Sequence, residues 1–415
     1  MLGRIILKKT RLNSLPAPGA CSRLTPAPGA WQTFPVVRLI LLVALTVAPV
    51  PLVASGSTTG ADADPEPQQQ KPRLGGYKIL PVPIFITEPA IGKGLGVALA
   101  LFHPSRGGSG AHARPTTPAA IGQIDKDRQK APPVVTGVFG AYTSSDTWAA
   151  GIGHMNHWRE DSIRYKGALA KARVNSTFYF NRLPVKYSLE GDLLFQDARF
   201  RLADSNLFLG ASFSYLDATN AFKDRNVDLP DEILGDGITN TGLAAVASYD
   251  SRDNTMNPNR GQLVELNLWR YDDLLGGNYE YWSATLTALS FHPFLQRFTL
   301  GFRLDVTSVD GKPPFFGYPW VKLRGIPAMR YQDESAGAVE AEARYQFAPK
   351  WEVLAFVGAG FTGGDTELFD NPDDIYSFGA GGRYKVIEEQ NVWLGIDVAR
   401  GPEETNWYIQ ASHAW

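Results

Sequence analysis

The chain has 415 residues, 44% of them apolar and 20% charged, with 40 Lys and Arg against 42 Asp and Glu. The net charge of −2 argues against a nucleic-acid binder, which usually carries a basic excess, and the single cysteine excludes an intramolecular disulfide and any thiolate metal cluster. Glycine at 41 residues and aromatics at 12% point to β-rich architecture, while only one apolar run, near the N-terminus, approaches the roughly 18 residues that a spanning helix needs.

That run is Leu39 to Ala48, preceded by Arg38 and broken by Pro49 and Pro51 before it reaches spanning length. Its length is that of a secretory signal core. The residues before it are basic (Arg4, Lys8, Lys9, Arg11, Arg23, Arg38) and include PAPGA twice. We read residues 1–55 as a leader with a signal peptide, cleaved between 55 and 63, after Ser55 or after Ala63. Removing residues 1–63 takes away six bases and Asp62, leaving 34 bases and 41 acids, a net of −7. Residues 56–76 (with STTGADADPEPQQQKPRLGG) lack the apolar content to pack and read as a flexible periplasmic tail.

From there apolar and polar residues alternate at period two, the pattern of strands with one apolar and one polar face. In 297–307 the apolar face is Phe298, Leu300, Phe302, Leu304, Val306, against Thr299, Gly301, Arg303, Asp305, Thr307. In 338–347, Val339, Ala341, Ala343, Tyr345 and Phe347 oppose Glu340, Glu342, Arg344 and Gln346, and in 391–399, Val392, Leu394, Ile396 and Val398 oppose Trp393, Gly395, Asp397 and Ala399. Similar segments recur at 94–103, 133–143, 147–157, 162–172, 185–199, 205–218, 240–250, 261–271, 278–292, 351–362, 376–386 and 405–415, with 174–180 as a further short strand.

A soluble sandwich and a transmembrane barrel both fit alternation. Strands of about 10–14 residues match a tilted bilayer crossing and exceed the usual ~5–6 of soluble proteins. Some connections are tight (144–146, 202–204, 348–350, 388–390) and others long (104–132, 219–239, 309–335, 363–375), as expected for short turns on one side and long loops on the other. The expected fold is therefore all-β, a transmembrane antiparallel barrel over 77–415, with sixteen strands and fourteen as the alternative. The last strand ends in Trp415, with Ile409 and Trp407 on the same alternating face. This resembles the C-terminal signal read by the outer-membrane assembly machinery.

Asp250 to Gly261 reads DSRDNTMNPNRG, a turn in which Asp250, Arg252, Asp253, Pro258 and Gly261 supply turn geometry and a charge pair. Further on stand Leu323-Arg324-Gly325-Ile326 in the long loop 309–335, Glu342-Ala-Arg344 on the next strand, and Ala355 to Gly360 on the one after. In these motifs the chain resembles the BamA/TamA superfamily, also called the bacterial surface antigen family. Residues 79–99 (ILPVPIFITEPAIGKGLGVAL) look like the first strand of such barrels.

The resemblance covers about 77–415. It implies a loop folded back into the lumen, with Arg324 and Gly325 at its tip, Glu342 the favoured partner of Arg324, and Glu340 and Arg344 beside it. It also implies that 250–261 is a periplasmic turn. Two positions depart from the family pattern: Gly358 stands where many members have an acid, and Ile326-Pro327 replaces the usual aromatic. Too few residues precede Gly94 for a POTRA module, so client recognition is expected to be absent or to come from a separate periplasmic partner.

His154 and His157 lie near Glu160 and Asp161 without a helical His-x-x-x-His spacing, and Asp365, Asp370, Asp373 and Asp374 form an acidic loop without EF-hand spacing. Solvated surface is the reading for both. No phosphate-binding glycine loop or Gly-x-Ser-x-Gly elbow occurs. The expectation is a non-enzymatic barrel of the bacterial outer membrane without cofactor or metal. Its partners would be outer-membrane lipids and, during biogenesis, the assembly machinery. It would assist outer-membrane protein or lipid handling or transport, or alternatively act as a passive or gated diffusion channel with Arg303, Asp305, Glu340, Glu342 and Arg344 lining the lumen; an outer-membrane enzyme is the third reading.

Overall fold

The computed structural model describes residues 78–103, 134–159, 161–222, 237–254, 257–366, 368–387, 392–411 and 415. The leader, its cleavage region and the tail lie outside the described residues. Sixteen strands follow one another in a single antiparallel sheet without a crossover. They are β1 (Lys78–Ile86), β2 (Gly94–Phe102), β3 (Val135–Thr143), β4 (Trp148–Trp158), β5 (Ile163–Phe180), β6 (Leu183–Arg201), β7 (Leu207–Phe222) and β8 (Gly237–Asp250). The second half is β9 (Gly261–Tyr271), β10 (Tyr281–Leu295), β11 (Phe298–Gly311), β12 (Ser335–Ala348), β13 (Trp351–Gly363), β14 (Ile375–Ile387), β15 (Val392–Arg400) and β16 (Thr405–Ala411). The sheet curls into a nearly closed barrel in which β1 comes near β16, but no hydrogen-bonded register joins these two strands among the described residues.

Alternation decides which residues face out. Phe302, Val339, Ile396 and Val398 are exposed, whereas their neighbours Arg303, Asp305, Glu340 and Asp397 are buried inside. The outer surface is thus apolar and the inner one polar, the inverse of a soluble sandwich and the arrangement of a barrel in lipid. Exposed aromatics gather in two belts, Tyr142, Trp282, Phe361, Tyr376 and Trp407 near one rim and Trp158, Phe200, Tyr345, Trp351 and Tyr384 near the other. Amphipathic rings favour these two water–lipid boundaries. No helix among the described residues is long and apolar enough to cross a membrane, which says nothing against crossing by strands.

Three sequence expectations change. Residues 79–99 form two strands, not one: β1 and β2 pair over nine positions from Lys78↔Phe102 to Ile86↔Gly94, turning at 87–93. The segments 162–172 and 174–180 are one continuous strand, β5, paired throughout with β6. The third change follows from the second. Antiparallel connections alternate between rims, so the loss of a turn near 173 puts the long 103–134 connection at the rim that holds the chain's end, and the tight 144–147 connection at the opposite rim. The other six connections named from length fall as expected.

β1 contains Pro81 and Pro83, both outward-facing and exposed. Proline has no N–H to donate and is confined to edge strands. The β1–β2 register runs unbroken past both, and residues of one parity donate in one direction, so the two missing donors lie on the edge that faces β16.

Candidate functional site

The long connection 312–334, between β11 and β12, turns into the barrel. Phe315 packs 4.9 Å from both Phe178 and Tyr187 and 5.5 Å from Phe222, ring centre to ring centre, with Phe316 against it. These rings anchor the loop to the inner wall of β5–β7, which extends furthest because β5 and β6 have 18 and 19 residues. Burial of each phenylalanine contributes about 1.5–3 kcal/mol. Beyond them the loop descends along β13. Leu323 and Val321 lie where side chains at Gly358 and Gly360 would otherwise be: an added Cβ would come within 2.6 Å of Leu323 and 2.3 Å of Val321. Gly358, read from sequence as a missing acid, is the space that lets the loop approach. Replacing Gly360 by valine should cost at least about 1–3 kcal/mol by overpacking and lift the loop, read as a lower temperature for the heat-modifiable gel shift.

At the bottom of the loop, Arg324 is buried among carboxylates. Its Nη2 lies 2.6 Å from Glu340 Oε1 and 2.7 Å from Glu342 Oε2, and its Nη1 is 3.1 Å from Asp397 Oδ2. The guanidinium carbon sits 3.4 Å from the centre of the Phe356 ring, a cation–π contact in a dry setting. Gly325 has φ of +91°, a conformation that side chains rarely adopt, and a Cβ there would meet the backbone of Gly401 at 2.9 Å. Its N–H donates to the Tyr408 hydroxyl on β16 (2.9 Å), and the Ser377 hydroxyl donates to the Arg324 carbonyl. Thus Glu342, the favoured partner, is joined by Glu340 and by Asp397, which sequence reading placed on the polar face of its strand but did not connect to Arg324. Asp397 also accepts two hydrogen bonds from Arg383, at 2.5 and 2.9 Å. A planar guanidinium suits such forked contacts.

Arg344 goes elsewhere. It is 3.9 Å from Glu342, but its Nη1 donates to Asn257 Oδ1 (2.9 Å) and its Nη2 to the Pro258 carbonyl. Those acceptors belong to the 251–260 turn, which folds into the lumen from the opposite rim. Asp250 anchors the turn, accepting from Arg252 (2.9 Å) and from Arg164 on β5 (3.2 Å). Asp253 accepts from the backbone N–H groups of Asn259 and Arg260, and Gly261 takes φ of +100°. The lock residues and the turn residues named from sequence therefore meet on β12. Arg303 and Asp305 pair with each other on β11, inward as expected.

Trp415 departs from its expected face. Ile409 and Trp407 lie on β16, Trp407 exposed on the outside. The strand ladder ends at Ala411, so alternation no longer governs the last residue. The Trp415 ring instead stacks on the inward Phe291 at 5.5 Å, lies against Gly301, and donates its indole N–H to Glu340 Oε1. Trp415→Phe, which keeps the stack and removes the donor, should cost about 1.5–3 kcal/mol, the range for a hydrogen bond to a charged group. Thermal unfolding in detergent would check this; an unchanged midpoint would count against the contact.

The other sequence candidates resolve simply. His154 shares the Thr136 hydroxyl with His103, each at 2.8 Å, on the outward side of the wall, and Asp370 pairs with Arg182. Asp161 accepts from Arg164 and Arg201, and Glu160 lies outside the described residues. No group of three or more His, Cys, Asp or Glu among the described residues could hold a metal ion.

The model of the Omp85 superfamily domain matches residues 157–313, from the end of β4 to just past β11. That is less than half of the chain, and over it this outer-membrane β-barrel is similar to the Omp85 superfamily domain. Among solved structures it is similar to BamA from Haemophilus ducreyi lacking POTRA domains 1-3, with a TM-score of 0.53 at 10% identity, over 81% of this chain and 70% of that one. It is also similar to CdiB from Escherichia coli (TM-score 0.54, 12% identity, 80% and 62% covered) and CdiB from Acinetobacter baumannii (0.51, 10%, 81% and 59%). The chain thus spans about three fifths of each CdiB. No curated protein matches its sequence. The lock around Arg324 lies beyond the stretch that the Omp85 domain matches.

Proposed function

We propose that this barrel assists the handling of outer-membrane proteins or lipids through its wall rather than conducting solutes through its lumen, and that it does so without enzymatic chemistry. The observation that carries this reading is the seam. β1 and β16 share no ladder among the described residues, and Pro81 and Pro83 deny the β1 edge two of the donors it would need to form one. An unpaired strand edge is a template for another strand. The filled lumen supports the same reading, because the 312–334 loop, the 251–260 turn and Trp415 all occupy the space a diffusion channel would leave open. Lipids around the seam, the assembly machinery during biogenesis and a separate periplasmic protein are the partners this role calls for.

Cysteines in place of Lys93 and Trp407, whose ammonium and ring lie 5.4 Å apart across the seam, would test it. Bridged by a short bifunctional reagent in a Cys21→Ser background, they should abolish any acceleration of the folding of an unfolded outer-membrane barrel into liposomes, while the unbridged variant keeps it. A bridged chain as active as the unbridged one would refute the reading.

A further inference from the structure

At the loop rim the two unpaired edges are joined by a third segment. On the β1 side, Glu88 in the 87–93 turn accepts the backbone N–H of Ala328 in the long loop at 3.1 Å. The same oxygen accepts from Ala90 at 3.4 Å, which fixes the carboxylate to its own turn. On the β16 side, Glu403 in the 401–404 turn takes a forked contact from Arg330, with Nε to Oε2 at 2.9 Å and Nη2 to Oε1, and Oε1 also accepts the Tyr331 hydroxyl at 3.1 Å. The Arg330 guanidinium is held between the rings of Tyr179 on β5 (4.1 Å) and Tyr331 (4.8 Å). Two residues apart, Ala328 and Arg330 thus reach opposite sides of one seam. Between them Met329 has φ of +62°, a left-handed conformation that a methionine adopts only when its surroundings impose it. Its sulfur accepts from the Tyr187 hydroxyl at 3.3 Å.

We propose that residues 328–331 are a clasp: the loop holds the β1–β2 turn with Ala328 and the β15–β16 turn with Arg330 and Tyr331, and its hold, in place of a strand ladder, sets how far the seam parts at this rim. The geometry favours this over a loop that merely fills the mouth. A filling loop would need contacts with the wall anywhere, whereas these contacts fall on the two turns that carry the unpaired strands. A forked Arg–carboxylate pair backed by two rings also has defined direction and a defined competitor, which a greasy contact lacks. The inference rests on the seam being the working part of the molecule only for its importance, not for its existence.

The test uses spin labels at Leu95→Cys on β2 and Val398→Cys on β15, both exposed on the outer face near the seam, in the full chain carrying Cys21→Ser in nanodiscs. Pulsed dipolar spectroscopy should give one narrow distance for the parent. Arg330→Glu or Glu403→Arg alone should lengthen and broaden it, and the two together should restore the parental distribution, since the pair is reversed but intact. Glu88→Ala, which frees the β1 side without placing like charges together, should lengthen it as well and covers the case in which a reversal fails to fold. Unchanged distances in the singles and in Glu88→Ala, or a double reversal no closer to the parent than its singles, would overturn the clasp. Distances that follow the clasp while the 93–407 bridge leaves client folding untouched would keep the clasp and refute the proposed function instead.

Discussion

Arg324→Ala should turn a barrel that is closed to ions in planar bilayers into a conducting one. The substitution leaves Glu340, Glu342 and Asp397 buried with their shared cation gone, and removing one partner of a buried pair costs on the order of 3–5 kcal/mol. Part of that strain can be relieved by lifting the loop so that water reaches the carboxylates. The wall, stapled by fifteen strand pairings, has no comparable freedom. The expected record is a near-silent parent, frequent openings in Arg324→Ala, and a lower temperature for the heat-modifiable gel shift. A parent and variant equally silent would show that Arg324 does not hold the lumen shut.

The second large effect belongs to Asp397. It is wholly buried and is shared between Arg324 and Arg383, itself almost wholly buried. Asp397→Asn keeps the shape and removes the charge, leaving Arg383 without that carboxylate. The expected loss is again about 3–5 kcal/mol. Combined with Arg324→Ala, the loss should fall short of the sum of the two singles by about 0.5–3 kcal/mol, since both act on one network. Chemical unfolding of the four proteins would measure the cycle. Additivity within about 0.5 kcal/mol would mean that the loop and the Arg383–Asp397 pair are independent.

What the sequence revealed of these sites divides along a physical line. Period two is a local property, so the inward direction of Glu340, Glu342, Arg303 and Asp397 could be read from a few neighbours. Which inward residues meet across the lumen depends on strand count and loop path, which are not local. Asp397 stands 73 positions from Arg324; its one visible signal was being the only acid on the inward face of its strand. Arg344 was placed correctly on β12 and grouped with the loop tip, without the turn that it binds, because alternation fixes a face and says nothing of which rim supplies the ligand. The rims themselves were misjudged at 103–134 and 144–147 because 174–180, the end of β5, was counted as a strand of its own. The prolines that make β1 an edge were in plain view, and only the absence of a ladder to β16 gives them meaning.

The positions of Arg324 and Arg344 have a consequence for permeability. Glu340, which binds the loop tip, and Arg344, which binds the turn from the other rim, are four residues apart on one strand, about 13 Å at roughly 3.3 Å per residue. A hydrocarbon core is roughly 30 Å thick. The layer where protein from the two sides of the membrane meets is therefore a septum less than half as thick as the bilayer around it, built from ion pairs and one indole. A short septum of that kind can yield to the loss of a single charge while the surrounding cylinder keeps its shape, so leakage and unfolding should be separable failures in this molecule.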